Sequence, residues 1–310
     1  MPSREIVKSS IRKPPYSIVR NFFELAGFLL LNALVFKYVY PFIDLEASAV
    51  PIPVLVSLKS STSLAASALD CVQVMFSKPI FPLLPFATVL IVGTVLGRLL
   101  CGWLCPIGFI QDLILKIKGS GSKVNLRTHS TLLKLKYVLL AVILFFSITL
   151  AVSLQAGESK YKEALGPFSR GVFLPIQPDT ALFANLPRLI QSGTESGLLD
   201  FSGPTSAGFL ALLGFALLLL LLVGAYLVPW FWCRYLCPTG ALMSILMRFS
   251  FLGMKRDPSK CTKCGECVEA CPMQVRILDL SWEKFNDPEC TLCMECVEAC
   301  PTGALTPKFP

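Results

Sequence analysis

The sequence predicts a helical membrane domain followed by a small α+β domain at the carboxyl end of the chain. Three observations support this fold class. The 310 residues are 54% hydrophobic and only 15% charged, whereas roughly a quarter of the residues of an average soluble protein are charged. Four apolar stretches are long enough to cross a bilayer. Most of the 13 cysteines belong to two repeated motifs.

The predicted spans lie at about 21–40, 79–100, 137–157 and 207–229. Basic residues are concentrated in segment 1–20, between the second and third spans, and after the fourth. Because cytoplasmic loops carry an excess of Lys and Arg, we expect a multi-pass protein of the inner (plasma) membrane with both termini in the cytoplasm. A signal peptide cleaved near 47–49 is the alternative for the first span, but that site is distant from the apolar stretch.

Charge and histidine content narrow the class of function. The chain has a net charge of +8, with −4 in 257–310 and +12 in 1–256. The basic residues lie beside the apolar spans, where they orient helices in the bilayer, and they do not form the long runs expected of a nucleic-acid binder. His129 is the single histidine, so bis-histidine haem ligation within this chain is excluded and no haem is predicted.

The segment 257–310 contains the motif C-x2-C-x2-C-x3-C-P twice. A [4Fe–4S] cube needs a thiolate at each iron corner, and the fourth cysteine of such a motif ligates the other cluster of the pair. The predicted ligands are Cys261, Cys264, Cys267 and Cys300 for the first cluster, and Cys290, Cys293, Cys296 and Cys271 for the second. Zinc sites usually lack the third closely spaced cysteine, and a cytoplasmic location disfavours disulfides. The segment resembles the bacterial two-cluster ferredoxins along its whole length.

A second repeat, C-x3-C-P-x-G, occurs at the predicted cytoplasmic ends of spans two and four. It contains Cys101 and Cys105 in the first copy and Cys233 and Cys237 in the second. Cysteines at i and i+4 share a helix face, the proline ends the span, and an amphipathic segment follows each copy. The repeat therefore predicts a four-helix membrane domain of two pseudo-symmetric helix pairs, with the four cysteines near a common axis.

The spacing of these four membrane cysteines leaves three interpretations open. They can pack as small apolar side chains at helix ends. They can ligate a further metal or cluster, since four thiolates are the right number. They can also be redox-active thiols, with Arg98 and Arg234 influencing thiolate formation.

With these motifs the chain resembles the NapH-like membrane ferredoxin family, which includes quinol-dehydrogenase membrane subunits. The resemblance covers most of the chain outside the predicted outer loops. It implies an electron-transfer subunit of a membrane oxidoreductase rather than a self-contained catalyst. Electrons would pass between a lipid-soluble, quinol-type carrier and a redox partner through two [4Fe–4S] clusters, and Cys101, Cys105, Cys233 and Cys237 would take part in redox work.

The alternative hypothesis comes from another class of protein. In it, the chain is an assembly or regulatory protein that uses its clusters to reduce a metal or thiol while another redox enzyme matures. Reduction of the clusters by a quinol distinguishes the two hypotheses.

Several single residues carry weaker expectations. His129 is predicted to be solvated in a basic cytoplasmic connection, and Glu24 either to snorkel at the membrane boundary or to act within the membrane. An interfacial aromatic belt is predicted for Trp103, Trp230, Trp232 and Tyr235. An acidic ferredoxin face, either solvated or docking a basic partner, is predicted for Glu269, Asp279, Glu283 and Glu298.

Overall fold

The computed structural model describes residues 16–31, 50–56, 65–78, 81–119, 124–158, 160–186, 189, 203 and 206–309. These residues form mainly helices, with two pairs of short strands. The helices are α1 (Tyr16–Leu31), α2 (Ala68–Phe76), α3 (Leu83–Leu96), α4 (Leu99–Trp103), α5 (Pro106–Lys118), α6 (Leu126–Gln155), α7 (Lys160–Leu165), α8 (Pro178–Thr180), α9 (Ala207–Leu227), α10 (Pro238–Met247), α11 (Glu266–Glu269) and α12 (Glu295–Ala299). Short 3-10 turns lie at Gly166–Arg170, Leu174–Ile176 and Ile277–Asp279, and π-helical turns at Ala181–Asn185 and Trp232–Leu236.

Among the described residues, two helices are long and apolar enough to cross a membrane: α6 with 30 residues and α9 with 21. Both leave many large apolar side chains exposed, such as Phe145 and Leu219, as expected of surfaces that face lipid. Over the first predicted span, α1 is described as far as Leu31, and residues 32–40 lie outside the described part. Over the second, α3 has only 14 residues.

Helix α3 stops early because Gly97 has a φ of 59°, which favours glycine. A side chain at this position would also meet the Met247 Sδ of α10. The chain then turns into α4, so the predicted second span is divided into two helices. The four-helix membrane arrangement therefore stays a prediction, since two helices have the required length.

The two copies of C-x3-C-P have matching local structure. In the first, α3 leads through α4 into α5; in the second, α9 leads through the Trp232–Leu236 turn into α10. Pro106 and Pro238 each occupy the first position of the following helix, where proline costs no backbone hydrogen bond. The repeat in the sequence is thus a repeat of helix, cysteine-bearing turn and helix.

Between the first two predicted spans, the described residues 50–56 and 65–78 pack into the protein instead of forming a simple outer loop. Strand β1 (Val50–Ile52) pairs in parallel with β2 (Ala65–Ser67), and α2 follows directly. Leu55 and Val56 are buried in the same core as Cys105 and Cys233. Burial of this apolar segment is favourable because it removes apolar surface from water.

The predicted aromatic belt is wrong for Trp230, Trp232 and Tyr235, which are at most 1% exposed. After α9 the chain turns back into the protein, and these rings fill the interior. The Trp232 ring, for example, stacks on Phe173 with centroids 6.3 Å apart. Aromatic residues beside an apolar span are found both at lipid interfaces and in protein cores. Composition alone therefore could not distinguish the predicted interface from the observed interior position.

The carboxyl-terminal domain is closed by two strands. Strand β3 (Gly253–Arg256) pairs antiparallel with β4 (Leu305–Lys308), and Met254 also bridges to Phe285. The domain thus includes residues before the predicted boundary at 257. Helices α11 and α12 lie between the strands, one in each cysteine motif.

Candidate functional site

The two cysteine loops of the carboxyl-terminal domain have the same backbone conformation. Lys263 and Leu292, at matching positions, have φ values of 56° and 52°. The next matching pair, Gly265 and Met294, has 89° and 64°. A left-handed conformation costs a residue other than glycine about 1–2 kcal/mol, so the fold imposes it for a reason. It curls each loop tightly and turns its three cysteines toward one cavity.

The eight cysteines line two cavities, each with four thiols. The inner cavity, of about 390 Å³, is lined by Cys271, Cys290, Cys293 and Cys296. The outer cavity, of about 310 Å³, is lined by Cys261, Cys264, Cys267 and Cys300. In both, the fourth cysteine comes from the other motif, as in the predicted crossed ligation.

The donor set of each cavity fits a four-iron cube, which takes four thiolates. Within the described residues, no group of three or more His, Cys, Asp or Glu side chains is positioned to hold a single metal ion. The assignment of individual cysteines as ligands stays a prediction.

The two cavities differ in their surroundings. Apolar side chains such as Met273 and Phe285 line the inner cavity, and burial raises the pKa of the Cys293 thiol there to about 12. At the outer cavity Cys264 is exposed. Burial there would raise the pKa of Cys300, but hydrogen bonds from Thr302 and Ala304 lower it. Burial therefore disfavours the Cys293 thiolate, whereas hydrogen bonds favour the Cys300 thiolate.

The loop 288–293, which carries ligands of the inner cavity, is seated on the first C-x3-C-P segment. Trp103 Nε1 donates a hydrogen bond of 2.9 Å to the Leu292 carbonyl. A Cβ on Gly102 would lie 2.5 Å from the Thr291 carbonyl oxygen, so the close approach requires glycine. Membrane domain and inner cavity are therefore in direct contact.

A buried ion group reinforces this contact. Glu289 accepts hydrogen bonds from Lys136 Nζ at 2.5 Å and from Arg98 Nη1 at 3.3 Å. Arg98 also donates to the carbonyls of Pro288 and Cys233, at 2.9 and 3.2 Å. Burial would raise the pKa of Glu289, but Arg98 and Lys136 lower it, so the carboxylate is held in its charged form.

A second buried ion group joins α1 to the same loop. Arg20 pairs with Glu24 at 3.2 Å, with Asp112 at 2.7 Å and with Glu295 at 2.7 Å. Its Nη1 also donates to the Cys293 carbonyl at 3.2 Å. Glu24 is thus a buried ion-pair partner, and the expectation of simple snorkelling is wrong.

The predicted acidic face of the ferredoxin domain is only partly present. Glu269, Asp279 and Glu283 are exposed. Glu298 is half-buried and accepts a hydrogen bond of 2.6 Å from the backbone N–H of Ser17. It therefore contacts the start of α1 instead of forming part of a solvated face.

Cys101, Cys105, Cys233 and Cys237 are all buried and lie within electrostatic reach of one another. Gln111 Nε2 donates to Cys233 Sγ at 3.1 Å, and the Gly240 N–H donates to Cys237 Sγ at 3.2 Å. The fold thus brings together the four cysteines that the repeat relates. Burial raises the pKa of Cys105 to about 11 and that of Cys237 to about 12, which disfavours free thiolates.

His129 is buried, so the expectation of a solvated side chain is wrong. Its Nδ1 lies 2.9 Å from the Tyr235 hydroxyl. The reason is that α6 begins at Leu126, which places the supposed connection inside a helix packed against the Trp232–Leu236 turn.

A buried polar group was missed by sequence reasoning. Gln177 Nε2 and Gln73 Nε2 donate to Asp70 Oδ1 at 2.9 and 3.3 Å. Asp179 is also fully buried. The signal available was an isolated acidic residue in the apolar stretch around Asp70.

Known families and relatives agree with this geometry. A model described as a 4Fe–4S dicluster domain matches residues 253–301. A model described as a 4Fe–4S binding domain matches twice, at 79–123 and 210–257, over the two C-x3-C-P copies. The ferredoxin-type protein NapH of Escherichia coli is 26% identical over 188 residues, which are 59% of this chain and 51% of NapH. The chain carries these 4Fe–4S domains and is similar to the NapH-like ferredoxin-type proteins.

Two further relatives of this NapH-like protein are informative. An uncharacterized protein of Methanocaldococcus jannaschii is 29% identical over 223 residues, 70% of this chain and 67% of that protein. The putative electron transport protein YccM of Escherichia coli is 26% identical over 192 residues, 61% of this chain and 45% of YccM. The aligned part therefore spans about half of YccM and NapH. No solved structure matches the chain. The dicluster match and these relatives identify an iron–sulfur electron-transport protein.

Proposed function

We propose that this NapH-like protein is a membrane-bound subunit of a redox complex. It passes electrons between a lipid-soluble, quinol-type carrier and a redox partner through two [4Fe–4S] clusters. The observation that carries the proposal is the seating of loop 288–293 on the first C-x3-C-P segment, through Trp103 and Arg98. A cluster in the inner cavity is then next to the membrane domain, and one in the outer cavity is next to solvent.

The chemistry of the proposal is one-electron transfer, which the clusters supply when bound. The residues of the chain have supporting roles. Four cysteines hold each cluster, apolar side chains such as Phe285 exclude water from the inner cavity, and Glu289 fixes the two domains relative to each other. The carrier would bind near Cys101, Cys105, Cys233 and Cys237, where the two halves of the membrane domain meet.

We also propose four spans with both termini in the cytoplasm, supported by the distribution of Lys and Arg. This topology places both cavities on the side of the membrane where thiols stay reduced.

The proposal is tested by reduction of the full chain, purified without oxygen in detergent, with a quinol analogue while the cluster absorbance is followed. Cys264→Ser removes a predicted ligand of the outer cluster, and Cys290→Ser removes one of the inner cluster. We expect the quinol to reduce the wild type and Cys264→Ser, but not Cys290→Ser, whereas dithionite reduces all three.

Two results would contradict the proposal. One is quinol reduction that survives in Cys290→Ser. The other is no reduction by any quinol, together with electron transfer to copper or a thiol substrate, which would favour the assembly or regulatory role.

The iron content of the purified chain tests whether the cysteines of the C-x3-C-P copies bind a metal or a cluster. Two clusters correspond to about eight irons per chain. The match of a 4Fe–4S binding model over both C-x3-C-P copies favours metal or cluster ligation there. A content of about ten to twelve irons that falls to about eight in Cys101→Ser would support this interpretation.

A further inference from the structure

Arg234 is a buried cation without a carboxylate partner. Its side chain is fully buried. Nη2 donates a hydrogen bond of 2.6 Å to Gln274 Oε1, while Nε and Nη1 are buried and have no hydrogen-bond partner. Among the ion pairs formed by described residues, none includes Arg234.

The other buried cations near the inner cavity are paired. Arg20 has three carboxylates, and Arg98 and Lys136 share Glu289. Arg234 interacts with Glu289 only beyond ion-pair distance, and a buried charge with no counter-charge in contact is strongly unfavourable. A guanidinium that stays buried in this state is therefore positioned for a negative group that binds nearby.

The position of Arg234 indicates which group that is. Its partner Gln274, with a φ of 55°, lies in the turn that begins at Cys271, and Cys271 lines the inner cavity. The Val275 N–H of the same turn donates a hydrogen bond of 3.4 Å to Cys271 Sγ. Arg234 is thus bonded to the turn that carries a predicted ligand of the inner cluster.

The position of Arg234 in its C-x3-C-P copy matches the position of Gly102 in the other copy. Arg234 directly follows Cys233, as Gly102 directly follows Cys101. Gly102 leaves room for the Thr291 carbonyl, and Arg234 reaches Gln274. The two copies therefore contact the ferredoxin domain at matching positions, one by close packing and the other by charge.

We propose that Arg234 is the counter-charge of the cluster in the inner cavity and raises its reduction potential. This rests on the proposed two-cluster electron transfer. A cube with four thiolates is an anion, and reduction adds one electron to it, so a nearby cation stabilises the reduced form more than the oxidised form. Burial alone has the opposite effect. Arg234 compensates for burial, so that a cluster shielded from water can still accept an electron from a carrier in the membrane.

Arg256 provides a matched control because it lines the outer cavity. Its Nη1 and Nη2 donate to the carbonyls of Leu278 and Leu280 at 3.1 and 3.3 Å, and it is only partly buried. Its charge is thus satisfied and partly screened by solvent.

The test is a redox titration of the full chain in detergent, followed by electron paramagnetic resonance, with dithionite as reductant and ferricyanide as oxidant. Cys264→Ser, which removes a ligand of the outer cluster, identifies the signal of the inner one. We expect Arg234→Gln to keep the wild-type iron content and to lower the midpoint potential of the inner cluster alone. At a fixed potential, the ratio of reduced to oxidised inner cluster should fall about tenfold. Arg234→Lys should restore it, and Arg256→Gln should leave the inner cluster unchanged.

An unchanged inner midpoint in Arg234→Gln with both clusters present would overturn the proposal. If Arg234→Gln loses iron, the Arg234→Lys variant distinguishes a charge role of this side chain from a structural role. Recovery of iron and of the midpoint supports a charge role, and loss of iron in both variants shows a structural role instead. Because this titration contains no quinol, its result is independent of whether a quinol is the natural carrier.

Discussion

Glu289 lies where three parts of the chain meet. It belongs to the loop that carries Cys290, and it accepts hydrogen bonds from Lys136 of α6 and from Arg98, which follows α3. Both cations are fully buried. A shared carboxylate of this kind holds the ferredoxin domain against the membrane domain, because it forms an ion pair with both buried cations.

We expect Glu289→Gln to destabilise the protein by about 3–5 kcal/mol, because it leaves two buried cations without a counter-charge. Thermal unfolding of the cluster-loaded chain in detergent measures this. The control is Asp279→Asn, whose exposed carboxylate pairs with Arg276 at 2.5 Å and whose loss should cause little change. Equal effects of the two substitutions would show that the buried ion group does not hold the domains together.

At the scale of elements, each repeated unit of turn and helix contains a glycine close to a backbone carbonyl. A Cβ on Gly108 would lie 3.1 Å from the Cys101 carbonyl oxygen, and one on Gly240 would lie 3.3 Å from that of Cys233. In each copy the helix that begins with proline folds back closely on the preceding turn. This close approach explains why the motif extends to C-x3-C-P-x-G.

We therefore expect Gly108→Ala and Gly240→Ala each to destabilise the protein by about 1–2 kcal/mol, since a rigid carbonyl must move. Thermal unfolding in detergent is again the measurement. Gly214→Ala in α9 is the matched control, because its Cβ would lie 3.4 Å from Ala181 Cβ, an ordinary contact, and alanine favours the helix. A stabilising effect of Gly108→Ala would contradict the proposed role of the glycine.

At the scale of the whole molecule, removal of iron should separate the two domains. Without clusters, Arg234 and the cavity thiols lose the bound group that balances their burial, and cluster binding contributes directly to folding. We expect chelation of iron to make residues 253–309 sensitive to a protease while α6 and α9 remain intact, as measured by mass spectrometry of the fragments. Reconstitution with iron and sulfide should restore protection. Equal sensitivity with and without iron would show that the domain folds and docks independently of its clusters.

The features that the sequence predicted well are those encoded by local spacing. Within each cysteine motif and within each C-x3-C-P copy the residues are a few positions apart, and the two copies of each have matching local structure. The burial of Arg20, Arg98 and Lys136 was not predicted, because their carboxylate partners include residues far along the chain. A basic residue beside an apolar span looks solvated until its partner is known. The burial of His129 and Asp70 was missed for the same reason, because their hydrogen-bond partners also lie on distant segments.

Besides the Glu289 side chain, loop 288–293 contacts the membrane domain through its main chain. The carbonyls of Pro288, Leu292 and Cys293 accept hydrogen bonds from Arg98, Trp103 and Arg20. Main-chain acceptors are present whatever the side chain, so substitutions at 288 and 292 preserve these contacts, whereas an insertion between them would displace all three. An insertion in this loop is therefore expected to disturb docking more than a substitution at position 288 or 292, because the loop length sets where these carbonyls lie.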